Sequence, residues 1–197
     1  MRHMRPRVIG IMGGVVSGKS TVAEMLGSLG AKVIDADRMA HELLEKPEVK
    51  EKVLERWGKG ILDTEGRIDR AKLADIVFSD GKALKELTGL LHPPLLETIR
   101  KEAERNESRP LVLDAALLLE TGLDEVCDLL VFVETGQELK EERARLRGWP
   151  RGEVQRREGF QSPESQKRKK AHFVVNNDSS KEETFRQLKD FWNKFIL

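Results

Sequence analysis

Short apolar runs alternate along the chain with longer stretches in which apolar residues recur at helical spacing. Residues 7–12 (Arg-Val-Ile-Gly-Ile-Met) are such a run, and it ends in glycines, the pattern of a buried parallel strand entering a tight turn. Val22, Met25, Leu26 and Leu29 then repeat at i, i+3, i+4 and i+7, one face of a helix, and Gly30 stands where a C-terminal cap belongs. Residues 31–34 read as a second strand, closing on Asp35-Ala36-Asp37 and leading into a helix through about Glu45. Strand, glycine loop, helix and strand make a βαβ unit, whose crossover is right-handed. Residues 47–106 are strand-poor and helix-rich, with breaks at Gly58, Gly60 and Gly66. Within them residues 82–104 form a long helical stretch interrupted at Pro93-Pro94, because proline removes a backbone donor and disfavours helical geometry in the residue before it. His92 is thereby predicted at a bend between two helices. Residues 111–113, 129–133 and 173–175 resume the strand pattern, and from Lys181 onward Phe185, Leu188, Trp192 and Phe195 share a helical face.

The pattern predicts an α/β fold built on a parallel sheet. Its core takes residues 1–46, 107–142 and 171–197, with an inserted helical subdomain at 47–106 and a cation-dense segment at 143–170. With 197 residues the chain fits one domain, since domains run to roughly 100–200 residues, and it needs no disulfide or metal to close a core. The lone Cys127 excludes an intramolecular disulfide and suits a reducing compartment; it reads as a small core residue before it reads as a reactive thiol. Lys and Arg number 35 against 34 Asp and Glu, so the global field offers nucleic acid no attraction. No run approaches the roughly 18 apolar residues of a membrane span. The basic start Met1-Arg2-His3-Met4-Arg5 enters a strand with no secretory core, which makes the cytoplasm the expected location. His3, His41, His92 and His172 show no ligand spacing with one another or with Cys127, which argues against a protein-built metal centre.

The chemistry is concentrated at Gly13-Gly14-Val15-Val16-Ser17-Gly18-Lys19-Ser20, which fits G-x-x-x-x-G-K-[ST] between a predicted strand and a predicted helix. Glycines let successive backbone N–H groups turn inward, and the following helix presents its positive end to the same anion. Lys19 can reach β- and γ-phosphates, and the Ser20 hydroxyl can ligate Mg²⁺. The fold class is therefore a P-loop NTPase-type three-layer α/β fold. A P-loop serves switches, motors and kinases alike. A GTP switch would add Asp-x-x-Gly and Asn-Lys-x-Asp; Asp63-Thr64-Glu65-Gly66 matches the first only in a polar turn, and Asn193-Lys194 is followed by Phe195-Ile196.

Residues 9–37 resemble the N-terminal signature of dephospho-CoA kinases, a glycine-rich P-loop followed by a strand closing in Asp-x-Asp. Leu91-His92-Pro93 resembles the family's Leu-His-Pro, Asp114-Ala115-Ala116-Leu117-Leu118-Leu119-Glu120 its Asp-x-Pro-Leu-Leu-x-Glu, and Arg157-x-x-x-Gln161 with Asn177 its C-terminal signatures. The resemblance implies transfer of the ATP γ-phosphate to the ribose 3′-hydroxyl of dephospho-CoA, with ATP and dephospho-CoA as partners, no nucleic acid, no membrane, and a monomer or weak homo-oligomer. The other kinase reading is a P-loop enzyme acting on a nucleoside or nucleoside monophosphate; an ATP-binding regulatory module or an RNA-binding role for the cation-dense segment belongs to a different class.

A hydroxyl nucleophile needs a carboxylate, and Asp37, at a strand's carboxyl end beside the P-loop strand, is expected as the base; its other reading is an N-cap of the next helix. Asp35 has the weaker claim. Arg143 and Arg147 lie four apart on one helical face, and with Arg151, Arg156 and Arg157 they read as an Arg-rich lid over the phosphates, or as a solvated face balanced by Glu141, Glu142, Glu153 and Glu158. The expected ATP site takes Gly13, Gly14, Val15, Val16, Ser17, Gly18, Lys19, Ser20, Thr21, Arg147 and Asn177, with Lys19, Asp37 and Arg143 in catalysis. The acceptor would meet Asp37, His92, Glu120, Arg157 and Gln161; His92 reads equally as a holder of its bend and Glu120 as a surface carboxylate. Mg²⁺ would rest on Ser20, phosphates, water and one of Asp37 or Asp114. Three positions depart from the family text: Val15-Val16 where Ile-Gly is common, Ala116 for Pro, and His172 for an acidic residue that could face the nucleotide.

Overall fold

The computed structural model describes residues 8–106 and 108–197. Arg7, expected to open the first strand, and His3 with the rest of the basic start lie outside the described residues. The chain divides into two compact units, one made of the described residues of Met1–Asp35 and Lys101–Leu197, the other of Ala36–Arg100.

The first unit is a sheet of five parallel strands among the described residues: β1 Val8–Gly13, β2 Lys32–Asp35, β3 Leu111–Asp114, β4 Leu129–Glu134 and β5 Phe173–Asn176, in the order β2-β3-β1-β4-β5. Every residue of β1 is buried, as a strand flanked on both edges and covered on both faces must be. Helices α1 (Lys19–Ser28) and α9 (Lys181–Phe195) pack on one face, where Ile9, Ile11, Val22, Leu26, Val112, Val131, Leu188 and Phe191 form one apolar cluster. The core face of α9 carries Thr184, Leu188, Phe191 and Trp192. Phe185, expected on that face, instead lies under the Lys189 ammonium at 4.8 Å, and Phe191 takes its place in the core. On the opposite face Gly10 leaves room for Leu118, Leu130 and Cys127; a Cβ there would come within 2.7 Å of the Cys127 sulfur. Burial first, then the charges of Asp124 and Asp128, push the thiol of the half-buried Cys127 up to about 12, which argues against the reactive-thiol reading.

The strand order corrects one expectation. β2 does not lie beside the P-loop strand, because β3 pairs with both and separates them: Ile11 is in register with Asp114, and Asp114 with Asp35. Local pattern predicts strands but not the order in which a parallel sheet collects them. His172 is likewise settled. Its backbone N–H donates to the Leu130 carbonyl at 2.8 Å and its Nδ1 accepts the Leu130 N–H at 3.0 Å. Leu130 pairs with Gly10, three residues before the end of β1, so His172 sits toward the edge of the sheet away from the glycine loop.

The second unit is helical: α2 Ala36–Leu44, α3 Pro47–Trp57, α4 Arg70–Ser79 and most of α5 Gly81–Arg105. Leu44, Val49, Val53, Ile61, Ile68, Leu73 and Val77 form its core. α5 runs through Pro93 and Pro94 without a break, so His92 lies inside one helix rather than between two. Proline inside a helix costs about 3 kcal/mol locally. Burial of Ala83, Leu95 and Ile99 on either side of the pair, together with packing of Leu87, Leu90 and Leu91 on the unit's core, outweighs it. Among the described residues no helix is long and apolar enough to cross a membrane.

Candidate active site

The loop that follows β1 is held by its own backbone and by three groups brought from elsewhere in the sheet unit. Ser17 is 1% exposed, and its carbonyl accepts from Thr135 Oγ1 at 2.9 Å, Asn177 Nδ2 at 2.8 Å and Arg143 Nη1 at 2.9 Å. Asn177 is in turn fixed by Thr184 Oγ1 on its side-chain oxygen at 2.9 Å, while Arg143 Nη2 donates to the Asn177 carbonyl at 3.0 Å. Arg143 comes from α6 (Gln137–Leu146), and burial holds its pKa below the usual guanidinium range, with the Asp178 charge opposing the shift. Both of its terminal nitrogens thus serve loop and strand-end carbonyls, which makes Arg143 a brace of the loop.

Gly18 takes φ 94°, and a Cβ on it would run into the Asn177 amide; only glycine meets both demands. It is also the N-cap of α1, with no side-chain cap and no carboxylate in the first turn, so the helix start is left to its backbone donors. Such a terminus suits an anion. Lys19 curls back, its ammonium donating to the Gly14 carbonyl at 2.9 Å and the Gly13 carbonyl at 3.3 Å. Ser20 is exposed in the same turn and Thr21 half-buried behind it. Val16, where the family text favours glycine, is the sole non-glycine residue with positive φ among those described, at 53°. Its side chain is buried with Val15, Ala144 and Val154, and Trp149 packs against them.

A second set of charges closes under Gly14. Lys140, 4% exposed at its side chain, donates to Glu158 Oε1 at 2.7 Å and Glu164 Oε1 at 3.0 Å. Burial pulls its pKa down, but those two hydrogen bonds outweigh burial and leave it raised. Glu158 ends α7 (Glu153–Glu158) and Glu164 begins α8 (Glu164–Lys170); a Cβ on Gly14 would collide with the Glu164 carboxylate and come within 2.8 Å of Glu158. Lys167 of α8, also buried, donates to Gln161 Oε1 at 2.7 Å and to the Gly13 carbonyl at 3.4 Å, with Glu120 Oε1 at 3.8 Å. Glu120 Oε1 accepts the Ser162 N–H, and its Oε2 is buried without a partner. Gln161 Nε2 donates to the Ala116 carbonyl at 3.2 Å.

The expected residues are therefore not equivalent. Gly13 to Lys19, Arg143 and Asn177 meet in one hydrogen-bonded assembly, and Glu120 with Gln161 joins it through Lys167. Arg147 is exposed at the end of α6, 5.9 Å from the Trp149 ring, and Arg157 stacks on that ring at 4.0 Å while its Nε donates to Glu153. Asp35 closes β2, and Asp37 stands in the first turn of α2, not at the strand end, so it is neither a strand residue nor the helix N-cap. His92 Nε2 is buried without a hydrogen-bond partner. Sequence reasoning missed Thr135, Lys140, Glu158, Glu164 and Lys167. The two lysines lay inside charge-rich segments, and nothing local separates a buried lysine from a solvated one. Among the described residues no group of three or more His, Cys, Asp or Glu is gathered as a metal cluster.

The glycine loop before α1 and the parallel sheet are those of a P-loop fold. Relatives sharpen this. A protein from Aquifex aeolicus named dephospho-CoA kinase is 42% identical over 94% of this chain and 96% of its own. The crystal structure of TT1252 from Thermus thermophilus is 35% identical and superposes with a TM-score of 0.85 over 98% of this chain and 100% of that one. A dephospho-CoA kinase from Campylobacter jejuni, 24% identical, shares the fold with a TM-score of 0.60 over 97% and 98% of the two chains. Since the dephospho-CoA kinase (CoaE) family model itself matches residues 7–183, nearly the whole of the assembly described above, the chain belongs to the dephospho-CoA kinase family.

Proposed function

We propose that this protein transfers the γ-phosphoryl group of ATP to the 3′-hydroxyl of the ribose of dephospho-CoA, giving CoA and ADP. The observation that carries the reading is the loop of residues 13–19, whose Ser17 carbonyl is fixed by three donors in a chain that matches its family over residues 7–183. A loop so held keeps its amides aimed before a nucleotide arrives, and phosphoryl transfer depends chiefly on such positioning. The 3′-oxygen forms a bond to the γ-phosphorus as the bond from that phosphorus to the β–γ bridging oxygen breaks. ADP leaves with the electron pair, and the 3′-hydroxyl proton passes to the Asp37 carboxylate.

Lys19 moves from the Gly13 and Gly14 carbonyls to the β- and γ-phosphates, and the α1 terminus faces their charge. Arg143 and Asn177 hold the loop, and Arg147 is offered to the phosphates from the segment that acts as a lid. The contacts proposed for the acceptor are those of His92, Glu120, Arg157 and Gln161. The residues fit a magnesium ion: the exposed Ser20 hydroxyl stands at the start of α1, and a hard cation takes its other oxygens from phosphate and water. Mg²⁺ held there by Ser20 would supply positive charge to offset that of the phosphates.

A coupled ADP-release assay with ATP and a panel of acceptors tests this. Release stimulated by dephospho-CoA, and not by nucleosides or nucleoside monophosphates, is the expected result. Turnover on a nucleoside monophosphate with none on dephospho-CoA would sink it.

A further inference from the structure

Two ammonium groups converge on one loop carbonyl. Lys19 Nζ lies 3.3 Å from the Gly13 oxygen and Lys167 Nζ 3.4 Å from the same atom. Lys167 reaches it from α8, with a side chain only 3% exposed. Burial of a lysine to this depth is unfavourable unless each donor finds a partner. Burial holds its pKa below the usual lysine range and Lys140 adds to the shift, although Glu120, Glu164 and Glu158 oppose it. Gln161 Oε1 at 2.7 Å, the Gly13 carbonyl and the nearby Glu120 carboxylate are the partners that keep it there.

Lys19 has a different fate. On the nucleotide reading given above, on which this inference rests, its ammonium must leave the Gly13 and Gly14 carbonyls for the triphosphate. That departure strips cationic donors from a buried stretch of backbone, an expensive step if nothing replaces them. Lys167 is already in place at Gly13 and can keep that carbonyl satisfied when Lys19 leaves.

We propose that Lys167 is a positioning residue for Lys19: it holds the Gly13 carbonyl and so releases the Lys19 ammonium to the β- and γ-phosphates. Lys140, bound to Glu158 and Glu164 rather than to the loop, has no such part.

The role predicts coupling between the two lysines. ATP affinity of the full chain is measured by isothermal titration calorimetry with Mg²⁺ for the wild type, Lys167→Met, Lys19→Met and the double variant. Lys167→Met weakens ATP binding about ten-fold, the scale of one hydrogen bond to a charged group. In the Lys19→Met background the same change weakens it by less than about two-fold, because the group it serves is gone. A ten-fold loss in both backgrounds, or no loss in either, overturns the proposal and leaves Lys167 a packing residue. Should Lys167→Met fail to fold, Lys167→Gln combined with Glu120→Gln, which removes both charges together, takes its place in the cycle. Wild-type protein with no ATP affinity overturns the nucleotide reading and this proposal together; wild-type protein that binds ATP but turns over no dephospho-CoA overturns the acceptor alone, and the cycle still decides the role of Lys167.

Discussion

Val16 holds a backbone angle that glycine would adopt freely and that costs an L-residue about 1–2 kcal/mol. Its buried side chain returns a comparable amount through Val15, Ala144 and Val154, since full burial of a valine is worth about 1.5–3 kcal/mol. The departure from the family text is thus offset by packing between the nucleotide loop and helices α6 and α7. Asp37 shows a second residue-scale point. Placed in the first turn of α2, it is free of the period-two alternation of a strand, so its claim against Asp35 rests on chemistry alone. Asp37→Asn should lower kcat by about 10²–10⁴ while ATP affinity stays nearly unchanged, as removal of a general base does. Near-normal turnover in steady-state kinetics would remove Asp37 from that role. The loop itself was legible residue by residue, because G-x-x-x-x-G-K-[ST] is contiguous. Of its supports, Arg143 and Asn177 were named from the sequence, whereas Thr135 and Lys167, which reach Ser17 and Gly13 across more than a hundred positions of chain, were not.

At the scale of elements, α7 is short and depends on its charges. Glu153 in its first turn accepts from Arg156 Nε at 2.7 Å and Arg157 Nε at 2.6 Å. These bonds, Arg156 first, lower its pKa from 4.5 to about 2. A depressed carboxylate contributes stability above its unfolded value, and that contribution is lost as pH falls from 4.5 toward about 2. The wild type should therefore exceed Glu153→Gln in thermal midpoint at neutral pH by a small margin, as an exposed pair allows, and the margin should vanish near pH 2. A margin that is unchanged across that range contradicts the assignment. The same ties orient Arg157 over Trp149. The elements were mostly legible from apolar periodicity: β1, α1, β4 and α9 appear where the spacing puts them. α5 was not, since propensity penalises Pro93 and Pro94 and only the packing around them shows that the helix survives.

The molecule as a whole joins a sheet unit carrying the nucleotide loop to a helical unit carrying Asp37 and His92. The parallel α/β class was legible from the βαβ pattern, whereas the order β2-β3-β1-β4-β5 was not, because strand order depends on contacts distant in sequence. That order brings Asp114 beside β1 and sets Asp35 next to it, a pair that no local motif singles out as neighbours. The central claim is a single transfer, from a triphosphate cradled by Gly13 to Lys19 to a ribose hydroxyl. Incubation with ATP labelled at the γ-phosphate and with dephospho-CoA, followed by separation of the products, tests it most directly. The label is predicted in CoA, on the ribose 3′-oxygen, in an amount equal to the ADP formed. Label that remains in ATP, or that appears only as inorganic phosphate, contradicts the account.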